Sequence, residues 1–581
     1  MKKTFALVLA FCLTLGMLAG CGDAAGSTSS ATSESATISA SEVQIPEENA
    51  VKPSESVAEA ETSAEDAVPE VESIYPLTDE TVTLTYWGPD ISSSNTALPT
   101  YSNLEAYDFW PFVEKSTGVK LKMTIVSMAS ESEQLNLVLA SGDYMDIMAI
   151  NESQVSGGMT SLLNQDIATD IAGIVEEYMP NYYDYISADE DTLKLSYNDD
   201  GQMAGTRSWA EYYVPNQGLV VRQDIMEDLG IEAPNTIDEL HDLLTAFKDY
   251  GMDAALWLGS SGQNSVSIVG ALGSCGYASD RGSTTDHLYV ENGQVVSALT
   301  SDTYRDYLEL MNQWYSEGLI NADFATNTDM EASSSSMLNG ETGVMNAMYG
   351  QALSLQTSLN VDNPDAQLMA LATPVKEEGD VNPFVNDSPL SNTSWRVITT
   401  ACKDVELAAR YIDWWYTEDG YLTANYGTYG LSYELDENGE PYYADAVVNN
   451  SFGIDASSAV EAYVTTNPIF GLISMDRTVY LAGEQWVDDM MTIWVEQTSS
   501  DQVLPTGVSL TSEETEEVTT ALSDITTAAS TYTLQFILGD VDFAQWDSYC
   551  AEIEAMGLAG VVSVYQNAYE RYNARYHVTT K

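Results

Sequence analysis

The residues that could do chemistry in this chain are few in kind. Three histidines (His241, His287, His577) and five cysteines with no CxxC pair offer little for a soft-metal site or a His-based triad. No HExxH, Walker loop, strand-borne GxGxxG or GxSxG elbow occurs. Carboxylates are the opposite case. With 89 of them, some pair falls at any spacing one chooses, so spacing assigns no acid–base couple. Glu434-x-Asp436-x-Asn438-Gly439, with Asp445 at the twelfth place, loosely follows a calcium-loop pattern. The same residues read as an Asn-Gly hairpin turn carrying solvated acids, and this is the preferred reading. No catalytic residue, metal ligand or cofactor is assigned. The 35 tyrosines against 11 phenylalanines leave much of the aromatic surface with a hydrogen-bonding tip.

The charge narrows the partners. Eighty-nine acidic against 20 basic residues give a formal net of −69 over 581 residues. A chain so acidic repels phosphate backbones, so nucleic-acid binding is excluded as a working reading, and anionic lipid heads are disfavoured. Such a length calls for two to four domains, and 44% apolar residues suffice to fill them.

The N-terminus fixes an expected location. Lys2 and Lys3 precede the apolar stretch Phe5–Met17, which is too short for a stable span but suits a secretory signal. Leu18-Ala19-Gly20-Cys21 resembles the bacterial lipobox, so residues 1–21 are expected to be a lipoprotein signal, with Cys21 diacylated as the first mature residue. Cys275, Cys402 and Cys550 then remain, an odd set without framework spacing, and no required disulfide is predicted. Residues 22–76 are rich in Ser, Thr, Ala and Glu, with Lys52 the single base and Tyr75 the first aromatic. This composition predicts a disordered, extended acidic tether.

From about Leu77 regular elements appear. Val82, Leu84 and Tyr86 alternate with threonines, and Val119, Leu121, Met123 and Ile125 alternate with Lys120, Lys122 and Thr124, predicting two strands. A helix from Tyr107 to Thr117 lies between them and stops at Gly118. Ser130 and Glu133 have capping-box spacing before Leu135, Val138 and Leu139, with Gly142 as the stop and Tyr144–Ile150 as the next strand. The β-α-β-α-β order predicts a mainly parallel sheet with helices on its faces. Leu219–Arg222 reads as another strand, and Thr236 with Glu239 opens a helix carrying Ile237, Leu240, Leu244 and Phe247 on one face. Similar stripes are Tyr304, Leu308, Met311 and Tyr315 before Gly318, Ala408, Ile412 and Trp415 before Asp419-Gly420, and Trp546, Tyr549 and Ile553 before Gly557. Turns are predicted at Asp200-Gly201, Asn292-Gly293 and Asn438-Gly439.

These segments, in this order, resemble the extracellular solute-binding proteins of carbohydrate ABC importers, the maltose-binding-protein-like group, and most of all its long Gram-positive lipoproteins. The resemblance rests on Phe112–Val119, Leu137–Asp143 with Asp146-Ile147, Val221–Gly230 with Pro234–Leu240, Trp314–Ile320 with Leu338–Val344, Ala408–Gly420 and Asn425-Tyr426-Gly427. Each piece is also an ordinary capped helix; their shared order over some 350 residues is what carries the likeness. Met145 departs from it, standing where such proteins often have Pro before Asp-Ile.

The resemblance implies an α/β fold of two lobes, each a mainly parallel sheet flanked by helices, with the ligand in the cleft between them. It places lobe one at 77–210 plus 340–397 and lobe two at 211–339 plus 398–581, the latter with a C-terminal helical extension. It further implies a monomer, moored to the outer face of the membrane through Cys21, that delivers a carbohydrate to ABC permease subunits without chemistry of its own. A sugar ring needs an apolar platform for its C–H faces and a rim of donors and acceptors. The candidates follow strand ends, where α/β clefts place ligands. They are Trp87, Asn151, Glu152, Trp209, Tyr212, Trp257, Gln263, Asn264, Tyr349, Trp395, Arg396 and Tyr426. Any one of these aromatics could equally be a packing residue, and Arg396 could hold a uronate or a structural ion pair. Trp314, Trp414 and Trp415 lie on helix stripes and are expected to pack. Two other readings remain open: a binder of peptide or another non-sugar solute, and a secreted enzyme acting on polysaccharide.

Overall fold

Alternating apolar residues become strands wherever both faces of a sheet can be covered, and among the described residues two large sheets and two two-stranded ribbons result. The structure is a computed structural model that describes residues 74–89, 109–127, 130–155, 157–210, 217–258, 268, 271–274, 287–326, 330–384, 390–450, 456–460, 463–464, 470–474 and 485–575. The expected signal, Cys21 and nearly all of the tether lie outside these residues, as do Tyr212, Gln263 and Asn264. In chain order the strands are β1 (Val82–Pro89), β2 (Val119–Val126), β3 (Ile147–Asn151), β4 (Thr206–Ala210), β5 (Gln217–Arg222), β6 (Ala254–Trp257), β7 (Leu288–Glu291), β8 (Gln294–Ser297), β9 (Thr342–Met348), β10 (Leu368–Ala370), β11 (Leu390–Ile398), β12 (Tyr433–Leu435), β13 (Pro441–Tyr443) and β14 (Leu472–Ile473).

The first sheet runs β14-β4-β11-β3-β1-β2 and the second β10-β5-β9-β6. β1 pairs in parallel with β2 and β3, and β14 with β4, whereas β11 is antiparallel to both β3 and β4. In the second sheet β6 and β9 are parallel, and β5 is antiparallel to both β9 and β10. Each sheet therefore has one reversed strand among strands running the same way, as the mainly parallel expectation requires.

Period two sorts neighbouring residues onto opposite faces, and both faces of each sheet are buried. Tyr86, Ile147 and Ala149 join one core with Tyr182, Tyr411 and Trp414, while Trp87, Met148 and Ile150 join another with Leu135, Leu162 and Trp395. In the second sheet Leu219, Val221, Leu256 and Val344 pack with Leu244, Phe247, Tyr304 and Trp314, and Val220, Trp257, Met345 and Ala347 pack on the other side with Leu355 and Trp494.

The division of the chain between the sheets differs from the expectation. Segment 340–389 was expected with the first lobe, but β9 and β10 pair with β5 and β6 in the second sheet. Segment 398–474 was expected with the second lobe. Its helices Val405–Trp414 and Glu418–Tyr426 pack into the first sheet's core, and β14 extends that sheet. Local periodicity cannot report which edge a strand joins. From residue 485 the chain is back with the second body. The helix Gln485–Trp494 packs beside Val220 and Met345, and Ser512–Leu538, Trp546–Ala555 and most of Leu558–Ala574 complete the larger core.

Local signals fare well, with exceptions. Thr236 and Glu239 form the reciprocal capping box, and Gly118, Gly142 and Gly318 take the left-handed conformation that ends their helices. Ser130 precedes the helix Glu131–Ser141 but makes no side-chain cap; its hydroxyl donates to the Ser127 carbonyl instead. Asp419-Gly420 is no stop: it opens the next helix under a Thr417 cap, and a Cβ on Gly420 would fall onto the Trp414 carbonyl. Asn292-Gly293 turns β7 into β8, both residues at positive φ. The Asp200-Gly201 turn leads from the helix Glu190–Ser196 toward β4 rather than joining two strands. Asn438-Gly439 joins β12 to β13, with the Asp436 carboxylate accepting from the amides of Asn438 and Glu440. Those backbone amides hold the Asp436 carboxyl below its ordinary range.

Candidate ligand-binding site

Three of the chain's passages between the two bodies leave and enter at the same ends of the two sheets. β4 leaves the first sheet at its carboxyl end, and six residues later β5 begins beside Met348, the carboxyl end of β9. The chain resumes at residue 390 with the amino end of β11, which lies beside the carboxyl end of β3. β14, parallel to β4, then leaves at its carboxyl end for the helix Gln485–Trp494. The two shorter crossings span at most about 25 Å of extended chain. The carboxyl ends of the parallel strands in both sheets are thus held near one another, which also explains why β5 and β11 run backwards. This is where open α/β sheets place ligands.

At the first sheet's end the register sets Ile150 of β3, Trp395 of β11 and Arg207 of β4 in one row. Asn151 pairs across with Ser394, and Glu152 follows in a short 3-10 turn, Glu152–Gln154. Arg207 Nη2 donates to Glu152 Oε2 at 2.9 Å, and Trp395 Nε1 donates to the same oxygen at 3.2 Å. The guanidinium carbon lies 4.1 Å from the centroid of the Trp395 ring, a cation–π arrangement. Arg207 is buried, its Nε has no partner, and burial lowers its pKa against the opposing pull of Glu152. The Glu152 side chain keeps 33% of its exposure. Two sequence candidates, Glu152 and Trp395, therefore meet, and the residue joining them was missed. In so acidic a chain an arginine reads as a generic ion-pair partner; only its place two residues before Trp209 hinted at more.

The other first-sheet candidates are differently placed. A stacking platform needs a face that solvent reaches, yet Trp87 is 1% exposed and Trp209 is fully buried. The reason is the sheet's coverage on both faces: β1 and β4 are interior strands, so strand-end position does not expose the ring. These two expectations are corrected to core packing. Arg396 is also buried, its Nη1 donating to the Ser394 carbonyl at 2.8 Å. Burial lowers its pKa, opposed by the nearby Tyr86 and Tyr416, and burial pushes Tyr86 up to about 12. Tyr426 is buried too, its ring beside Tyr433 and Tyr443 and its hydroxyl 3.4 Å from Ser474, so it packs beneath β14. Trp314, Trp414 and Trp415 are buried packing residues as expected.

At the second sheet's end, Trp257 closes β6 and is 9% exposed, against the core of Val220 and Met345. Tyr349 opens the helix Tyr349–Asp362 and is half-buried. Beside them stand Gln217 and Asn346, whose side chains lie 3.4 Å apart, neither picked from the sequence. Gln217 opens β5 and Asn346 lies two residues before the end of β9, and an amide that close to a strand end is the signal that could have found them. Together the two ends offer a carboxylate, several amides and one half-buried aromatic, Tyr349, a set that holds hydroxyl-rich solutes by hydrogen bonds and C–H contacts.

Comparison with known proteins gives three results. A model of the bacterial extracellular solute-binding protein family matches residues 96–421. Among curated relatives, the Bacillus subtilis lipoprotein LipO is 23% identical over 346 residues, covering 56% of this chain and 64% of LipO. The B. subtilis polygalacturonan/rhamnogalacturonan-binding protein YtcQ is 24% identical, covering 79% and 87%, and the Streptococcus pneumoniae fructooligosaccharide ABC transporter substrate-binding protein FusA is 23% identical, covering 80% and 86%. Among solved structures, an HMO-binding solute-binding protein of Bifidobacterium longum infantis superposes with a TM-score of 0.65 at 18% identity, covering 85% of this chain and 99% of that one. FusA in complex with kestose gives 0.62 at 21% identity, covering 85% and 100%. These likenesses establish the fold.

Proposed function

This chain belongs to the bacterial extracellular solute-binding protein family, and from that premise we propose that it is the substrate-binding component of an ABC importer. It captures a mono- or oligosaccharide between its two sheet-centred bodies and hands it to a membrane permease. The observation that carries the reading is the meeting of three crossings at the carboxyl ends of both sheets, with Glu152, Asn151, Gln217 and Asn346 at those ends. The names of YtcQ and FusA, which span most of this chain, support a glycan as the solute. The lipobox at Cys21 supports a lipid anchor on the outer face of the membrane. No described helix is long and apolar enough to cross a bilayer.

Mechanistically, the saccharide bridges the two bodies and shifts a population of open forms toward closed ones, which the permease recognises. Turning a mostly open ensemble into a mostly closed one takes about 5.5 kcal/mol of differential binding. Several hydrogen bonds to hydroxyls and one or two ring contacts are of that order. The ligand leaves chemically unchanged. Thermal unfolding of the mature chain across mono- and oligosaccharides tests the proposal: a ligand at a hundred times its dissociation constant adds about 2.7 kcal/mol. A rise with a glycan and none with peptides is the expected result. A broad glycan panel without any rise, or turnover of a glycan into shorter products, would remove it.

A further inference from the structure

The two oxygens of Glu152 are treated unequally. Both hydrogen bonds that reach the carboxylate, from Arg207 Nη2 and Trp395 Nε1, land on Oε2. Among the described residues no hydrogen bond reaches Oε1, and the side chain is one-third exposed. A carboxylate oxygen carries two acceptor positions that demand partners when water is removed. Oε1 lies beside the start of the helix Gly158–Asn164, where a Cβ on Gly158 would come within 3.4 Å of it. The carboxylate is therefore anchored through one oxygen while the other keeps its acceptor positions. Arg207 cannot trade roles with it. Its guanidinium is buried, stacked on Trp395 and already bonded to Glu152. The other arginine at this end, Arg396, is buried and bonded to the Ser394 carbonyl. What the strand ends present here is a negative acceptor, in a chain of formal net charge −69.

We infer that Glu152 Oε1 is a specificity-determining acceptor for ligand hydroxyls, that Arg207 is its positioning residue, and that the sugar ring bound there is neutral. A hydroxyl can donate to Oε1, whereas a uronate carboxylate would meet a like charge held in place and partly shielded from solvent. This inference rests on the saccharide-binding reading and names the class of sugar within it. Isothermal titration of the mature chain against neutral oligosaccharides (fructo-, malto-, galacto- and xylo-series) and oligogalacturonates tests it. The expected result is binding of at least one neutral series, with oligogalacturonate at least about tenfold weaker.

Glu152→Gln, nearly isosteric, should weaken the neutral ligand about tenfold or more and narrow its margin over oligogalacturonate; it also lowers the ligand-free thermal midpoint, because it leaves the buried Arg207 without its counter-charge, so affinities are compared well below that midpoint. Arg207→Lys should retain more neutral-ligand affinity than Arg207→Met, a ranking that separates positioning of the carboxylate from general support of the fold. Oligogalacturonate binding as tightly as any neutral series, or a well-folded Glu152→Gln chain with unaltered affinity, would overturn the inference while leaving saccharide binding intact. Silence from both sugar classes would instead remove the saccharide reading itself, and this inference with it.

Discussion

An indole serves a ligand through its open face or its N–H, and at Trp395 both are engaged internally. The ring carries the Arg207 guanidinium, and the N–H holds Glu152. Trp395→Phe keeps a ring under the guanidinium and deletes the donor. A hydrogen bond to a charged group is worth about 1.5–3 kcal/mol, so the unfolding free energy from urea titration should fall by an amount in that range, and affinity for the cognate saccharide should weaken because the carboxylate loses one of two anchors. Titration and urea unfolding measured side by side check this; a stability loss with no loss of affinity would confine Trp395 to packing. Residue types told part of this story in advance. An acid and an aromatic near strand ends were legible, and Glu152 and Trp395 do meet. Whether a ring is covered depends on what lies over the sheet, so Trp87 and Trp209 looked the same as Trp395 in sequence and proved to be core. Arg207 escaped notice because its partner is 55 residues away.

At the level of elements, the features written locally are the ones that were read correctly. The helix Ile237–Tyr250 begins at a box whose two hydrogen bonds span three residues, and hydrogen bonds from the Asn235 and Thr236 amides hold the Glu239 carboxyl below its ordinary range. Thr236→Ala should cost about 1 kcal/mol, measurable by urea unfolding. The third crossing is docked by a feature with no local signature. Trp494 lies over Gly218 of β5 and donates to the Leu219 carbonyl at 2.9 Å, and a Cβ at residue 218 would fall onto the indole. Gly218→Ala should therefore destabilise by about 1–3 kcal/mol through overpacking. It should also alter ligand affinity, since β5 enters the second sheet at the site's edge. A neutral outcome in both measurements would mean that the helix Gln485–Trp494 yields freely. The same distinction explains the misplaced segments: strand periodicity is local, but the edge that β9 or β14 joins is decided by partners more than a hundred residues away.

Across the whole molecule, the C-terminal helix Leu558–Ala574 ties the two bodies together. Val561 and Val564 belong to the second sheet's core, whereas Tyr572 packs in the first sheet's core. In its last turn and just after it, Arg571 and Arg575 each donate through Nε to one oxygen of Asp199, at 2.7 and 2.6 Å, and Arg571 grips both oxygens of Glu514. Asp199 follows the helix Glu190–Ser196 of the first body, and Glu514 caps the helix Ser512–Leu538 of the second, so the two arginines bridge bodies as well as charges. Any closing motion must pivot near these atoms or break them. Arg575 is buried, and among the described residues its other partners are the Lys194 carbonyl, the Ser509 hydroxyl and the Tyr572 ring, all uncharged. Asp199→Asn should thus cost about 3 kcal/mol, because it strands a buried cation, and the variant's scattering curve should show a wider ligand-free ensemble. Acid should act on the same bridge. Partial burial opposes the Glu514 charge, but hydrogen bonds from Arg571 and Thr511 outweigh it and hold the carboxyl below its ordinary range. A carboxyl depressed in the folded state contributes stability that is present above its unfolded pKa and disappears as pH falls through the folded one. Glu514→Gln should accordingly lower stability at neutral pH and flatten its decline below the ordinary glutamate range. Parallel denaturation curves for the variant and the natural chain down to strong acid would show that the bridge bears no load.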